Sequence, residues 1–221
     1  MRNLIVCALF AVSTHLMAQP PADCQAGMAA FQQEEYKASI QPLTKCLALP
    51  LPPQTQAFVL RMRAQAFGEQ SRYQEALADQ QQSLALAKPE DVWPLIMLAV
   101  YHRGLKQYEE ALAALKEAES YDEDGPGTGP GMAVAYHTGW TLQDMGLHQR
   151  AVETFTAAIL KQPDYGWVFY RRALSYEALG DHLHARDDMA KAYKFIRPEG
   201  YNQEVIATLK QYGYTPKQKA Q

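Results

Sequence analysis

The stretch 133-AVAYHTGWTLQDMGLHQRAVETFTAAILKQP-163 reads as two helices separated by a breaker. Gly139 in the first half and Ala151 in the second stand 12 positions apart, and Met145-Gly146-Leu147 interrupts the pattern just before His148. Two helices that cross at close range leave no room for more than a methyl group at their contact point. A larger side chain there forces the pair apart, at about 1 to 3 kcal/mol.

The same phrase recurs on both sides of this stretch. Small residues pair as Gly27/Ser39, Ala64/Ala76, Ala99/Ala111, Gly139/Ala151 and Ala173/Ala185, always 12 apart. Successive pairs begin 37, 35, 40 and 34 residues apart, so extra residues enter between units and never inside one, as a repeated structural unit requires. Leu95, Leu98, Ala99 and His102, then Ala111, Leu112, Leu115 and Ala118, carry helical spacing in the two halves of one unit. Gly104-Leu105-Lys106-Gln107 and Leu179-Gly180-Asp181 are further breakers between halves. Each unit is therefore predicted to be a pair of helices.

These units resemble the tetratricopeptide repeat. The fourth shows Gly139, Leu142, Gly146, Ala151, Phe155, Ala158 and Pro163, and the fifth shows Phe169, Ala173, Tyr176, Gly180, Ala185, Met189, Ala192 and, one place late, Pro198. The third keeps Leu95, Leu98, Ala99, Tyr108, Ala111, Leu115 and Ala118; the second has Gln80 where an apolar residue is expected. The first is the most degenerate, with Ser39 for Ala and Cys46 in the third small column. The resemblance covers roughly residues 21 to 198. It implies an all-α, right-handed solenoid of about five helix-turn-helix repeats whose first helices line a concave ligand-binding face. Repeats one to three occupy 19–121 and repeats four and five 132–198. Residues 122–131, rich in Gly and Pro, read as a connector and hinge that is neither helix nor strand, and 199–221 as a capping helix with a frayed tail.

Residues 1–18 read as a secretory signal peptide. Arg2 is followed by the apolar run Leu4 to Val12, and Leu16-Met17-Ala18 ends in a small residue suited to cleavage. The run is about half of the roughly 20 residues needed to span a bilayer, so no membrane span is expected in the mature chain. Export makes the periplasm the first expected location and secretion the second. Removing the leader removes Cys7 and leaves Cys24 and Cys46 in an oxidising compartment. Their midpoint is Glu35, where the first unit is expected to turn back, so a disulfide across the helix pair competes with two small buried thiols.

The formal charge of −3, from 21 Lys and Arg against 24 Asp and Glu in 221 residues, offers no attraction to nucleic acid. On each first helix the residues not used for pairing form a stripe at i, i+3, i+4, i+7. It holds Phe58, Arg61 and Met62; Trp93, Ile96 and Met97; Tyr136, His137 and Trp140; and Trp167, Tyr170 and Arg171, with Arg103 on the same face. Trp, Tyr, Met and Arg bury much area for few frozen torsions, which suits a protein-binding groove; the competing reading places these aromatics in the core. Family members that hold a terminal carboxylate use Lys, Arg and Asn, and this stripe has neither Lys nor Asn. An apolar or aromatic segment, with acidic residues opposite the arginines, is the expected ligand.

No catalytic or cofactor motif is present. His182 and His184 are two apart and face different sides of a helix, so no metal site is expected. Gly125 to Gly131 lacks the Lys-Ser or Lys-Thr of a phosphate loop, and the pairs Glu109-Glu110 and Asp187-Asp188 read as solvated helix faces. The expected function is a non-enzymatic scaffold that binds a segment of an envelope protein. A self-associating homo-oligomer is the alternative.

Overall fold

A computed structural model describes residues 21–89, 91–120, 130–197 and 201–215. Among them the chain forms eleven helices and no strand. They are α1 (Ala22–Gln32), α2 (Tyr36–Leu47), α3 (Pro53–Gly68), α4 (Tyr73–Leu86), α5 (Trp93–Gly104), α6 (Tyr108–Glu119), α7 (Pro130–Asp144), α8 (His148–Lys161), α9 (Gly166–Ala178), α10 (His182–Phe195) and α11 (Gln203–Gln211). Each helix packs on the next through α10, and odd-numbered helices also touch one another along one side. Among the described residues no helix is long and apolar enough to cross a membrane. The signal-peptide reading falls on residues outside the described set.

The five helix pairs turn in one way. Glu34, Ser71, Lys106, Gly146 and Gly180 all have φ between 58° and 78°, and each lies five residues before the second small residue of its unit. In every turn the next residue's N–H donates back across the helix end, as Leu147 does to Leu142 and Asp181 to Tyr176, each at 2.9 Å. This is the Schellman closure, which satisfies carbonyls that the helix end leaves open. Only two of the five positions use glycine, the residue that adopts positive φ without a Cβ clash.

Inside a pair the small columns meet large partners. A Cβ on Gly139 would lie 2.5 Å from Phe155 Cε1, so the fully buried Phe155 ring occupies the space that glycine vacates. Gln80, in a column expected to be apolar, is buried and donates from Nε2 to the Pro94 carbonyl at 2.7 Å, which ties α4 to the start of α5. Cys24 of α1 and Cys46 of α2 form a disulfide with Cα atoms 4.7 Å apart, inside a core shared with Leu43, Val59 and Met62.

Two expectations are corrected here. Pro130 and Gly131 belong to α7 rather than to the connector, because proline suits the first helical position, where its missing N–H costs nothing. Nor do the flanking units hinge freely. Leu95, Ala99, Leu115 and Ala118 share one core with Ala133 and Val134, so apolar packing runs unbroken from the third unit to the fourth. Residues 121–129 lie outside the described set.

Two polar ties, which sequence reading missed, repeat in register. Arg63 grips Asp79 with bonds of 2.7 and 2.8 Å and donates to Thr44 at 2.9 Å. Arg172 grips Asp188 at 2.7 and 2.9 Å and donates to Thr156 at 2.8 Å. In both, arginine precedes the first small residue, aspartate follows the second by three, and threonine comes from the preceding helix. Asp188, expected on a solvated face, is in fact buried because Arg172 closes over it. At the far end, Val205 and Leu209 of α11 join Phe169, Tyr170 and Met189, and Tyr212 donates its hydroxyl to Glu177.

Candidate functional site

The stripe predicted on the first helices divides into three parts. Ile96, Tyr170, Tyr136 and Met62 are buried, at 0 to 7% exposure, and for the first three this corrects their reading as ligand contacts. The cause is geometric: a first helix is flanked on both sides by its neighbours, so a four-position stripe is wider than the strip left open. Tyr170 packs under the cap, with its hydroxyl donating to Thr208 Oγ1 at 3.3 Å. Met62 still forms part of a groove floor.

The open part lies across α1, α3 and α5. A groove of about 380 Å³ is walled by Phe58 and Trp93, which are 47% and 52% exposed, with Met62 and Met97 between them. Arg61 stands in the same groove, held by Nη1 donating to Ser83 Oγ at 3.4 Å, and its guanidinium lies 5.9 Å from the Phe58 ring centre. Phe31 and Gln32, from the end of α1, complete one wall. Sequence reading missed them because the first unit's degenerate pattern left its inner face unassigned. Tyr101 reaches the groove from below, and burial pushes its hydroxyl well above the usual tyrosine range. Trp167 is not brought to this groove. It lines a separate cavity of about 700 Å³ with Tyr165, Lys194 and Arg197.

The third part is a stack at the centre of the concave face. The Arg103 guanidinium of α5 lies 3.7 Å, and that of Arg171 from α9 lies 3.5 Å, from the ring centre of Trp140 on α7. At such distances each cation sits directly over the ring, close to the van der Waals limit of about 3.5 Å, so two cannot share a face. They cover opposite faces. Trp140 therefore offers no open face to a ligand, which corrects its reading as an open groove contact. Asp144 accepts from the Trp140 indole N–H and faces Arg103 Nε at 3.4 Å. Arg171 donates to the Tyr136 hydroxyl and to Gln143 Oε1, the latter at 3.5 Å.

His137 stacks beside Trp140 with the ring planes 12° apart. Burial, reinforced by Arg103 and Arg171, holds its pKa down at about 3, so it is a neutral ring at physiological pH. Burial likewise lowers Arg103 to about 10, with Asp144 opposing that shift and Arg171 adding to it. His182 and His184 bond to separate carboxylates, Glu177 at 2.9 Å and Asp181 at 2.7 Å.

Comparison with known proteins agrees with this architecture. Residues 95–124 match the sequence profile of the tetratricopeptide repeat. Among solved structures, MamA superposes with a TM-score of 0.60 at 17% identity, covering 76% of this chain and 92% of MamA. YrrB, described as a TPR protein with an unusual peptide-binding site, superposes with a TM-score of 0.56 at 18% identity, covering 84% of this chain and 88% of YrrB. No curated protein matches the chain in sequence.

Proposed function

We propose that this chain, which folds as a tetratricopeptide-repeat solenoid, is a non-enzymatic scaffold that holds a segment of a partner protein in its concave groove. The observation that carries this reading is the exposure of Phe58 and Trp93 in the lining of one groove, together with Met62 and Met97. Large aromatics left in water across a groove gain about 1.5 to 3 kcal/mol each when a partner covers them. The peptide-binding site named for YrrB supports the reading by likeness of fold.

The apolar leader-like segment Leu4 to Val12 and the Cys24–Cys46 disulfide support an exported protein, periplasmic in the first instance and otherwise secreted, whose partner is an envelope protein. The test is a photo-reactive phenylalanine analogue placed at position 58 or 93, irradiated in living cells. One partner cross-linked from both positions, and not from an exposed convex position such as Leu160, is the expected result. Equal labelling from all three positions refutes the groove.

A second reading, self-association, is favoured by Leu160 and Leu183, which are 83% and 71% exposed. Sedimentation at several concentrations separates the two, since a concentration-independent monomer excludes it.

A further inference from the structure

We infer that the pair Arg103 and Arg171, clamped on the two faces of Trp140, is a receptor for one carboxylate of the bound segment. The inference rests on the groove reading above and adds the chemistry of the ligand.

The argument is one of charge and donors. Two guanidiniums, held about 7 Å apart by the ring between them, repel each other. Among the described residues, Asp144 is the one carboxylate that acts on Arg103. One negative charge therefore serves two positive ones in a place where the Arg103 side chain is only 9% exposed. Charges withdrawn from water to that degree are ordinarily paired.

The donors point the same way. Each guanidinium presents a fork of N–H groups. Arg103 is matched only by the long contact to Asp144, and Arg171 Nε is buried with no hydrogen-bond partner among the described residues. His137 Nδ1, beside it, is also buried and unpartnered. Native structures leave few such atoms, so two orphaned nitrogens beside a guanidinium held by one long contact mark a place short of an acceptor.

The geometry admits a carboxylate. At about 2.9 Å from a donor on either side, an anion at the rim of the indole reaches both guanidiniums. The rim at Asp144 is the accessible one, since that side chain keeps 34% of its surface. A carboxylate arriving there balances the second arginine. The stack also explains why the cations are already in place: cation–π contact fixes both side chains before a ligand arrives, which removes an ordering cost from binding.

Three small probes test the site without any knowledge of the partner. N-acetylglutamate α-amide carries a side-chain carboxylate, N-acetylglutamine carries a chain-terminal one, and N-acetylglutamine α-amide carries none. Each is titrated into the isotopically labelled whole chain while the Trp140 indole and arginine Nε–H resonances are followed. A saturable shift with a carboxylate probe and none with the neutral one is expected, and the probe that acts names the source as side chain or chain end. Arg103→Gln and Arg171→Gln, each checked for native helicity, are expected to weaken that binding by about fivefold or more. Equal response to all three probes, no response to any, or unchanged binding in both folded variants overturns the inference. If the probes fail while a partner still cross-links at position 93, the groove reading stands and only the carboxylate site falls.

Discussion

Arg172 and Asp188 meet through two parallel hydrogen bonds of 2.7 and 2.9 Å, with the carboxylate almost wholly out of water. The bond joins α9 to α10, and the donation to Thr156 extends it to α8, so one guanidinium sets the register of three successive helices. Arg172→Ala leaves the buried Asp188 with only Lys191, 3.8 Å away, and is expected to cost about 3 kcal/mol, read by urea denaturation. A paired change to leucine at both positions is expected to recover most of that loss.

The turns differ in strain. Lys106 holds φ at 61° where Gly146 and Gly180 stand in the equivalent turns. A side chain in that region costs about 1 to 2 kcal/mol, and glycine gives back part of the gain through its freer unfolded chain. Lys106→Gly is expected to raise stability by about 0.5 to 1 kcal/mol, visible as an increase in Tm.

Core and groove aromatics are expected to separate cleanly. Tyr170→Ala removes a buried ring and is expected to cost about 3 kcal/mol or more. Trp93→Ser removes a ring already half in water and is expected to cost about 1 to 2 kcal/mol, clearly less than the core change. Thermal melts of the two variants check the division of the stripe.

Acid is expected to act through His137. Its folded pKa of about 3 lies below the ordinary value of 6.5, so the unfolded chain binds the proton more readily. Its contribution is fully present above about pH 6.5 and is lost as pH falls toward 3, at up to about 1.4 kcal/mol per pH unit. Denaturation midpoints between pH 7 and 4 measure the slope, and His137→Phe is expected to flatten it.

The disulfide closes the first unit. Cys24 and Cys46 are 22 residues apart, and a loop of that size is worth about 3 kcal/mol. Reduction, or replacement of both by serine, is expected to raise hydrogen exchange in α1 and α2 and to leave α9 to α11 unchanged.

The helix pairs were legible because crossing geometry acts at one fixed separation: Gly139 and Ala151 lie at a single contact, and the spacing of 12 recurs wherever that contact is made. The ties at Asp79 and Asp188 were not. Each needs three residues on three helices, and the set occurs in only two of the units, so no column of the repeat displays it. Of the stripe, Phe58 and Trp93 are exposed, whereas Tyr136, Ile96 and Tyr170 are buried. Helical spacing says which side of a helix a residue occupies, but not how closely the next unit leans on that side. The stack on Trp140 lay beyond sequence reading for the same reason, since it depends on α5 and α9 both reaching α7.

The apolar core that passes from Leu95 and Leu115 to Ala133 and Val134 has a practical consequence for engineering. Among the described residues, cohesion between the two halves is carried by this side-chain packing and by the Arg103 contact with Trp140. Severed within 121–129 and co-expressed, the halves should find each other as fragments do in a complementation assay. A fluorescent domain spliced into the same place should leave the repeats on either side in step.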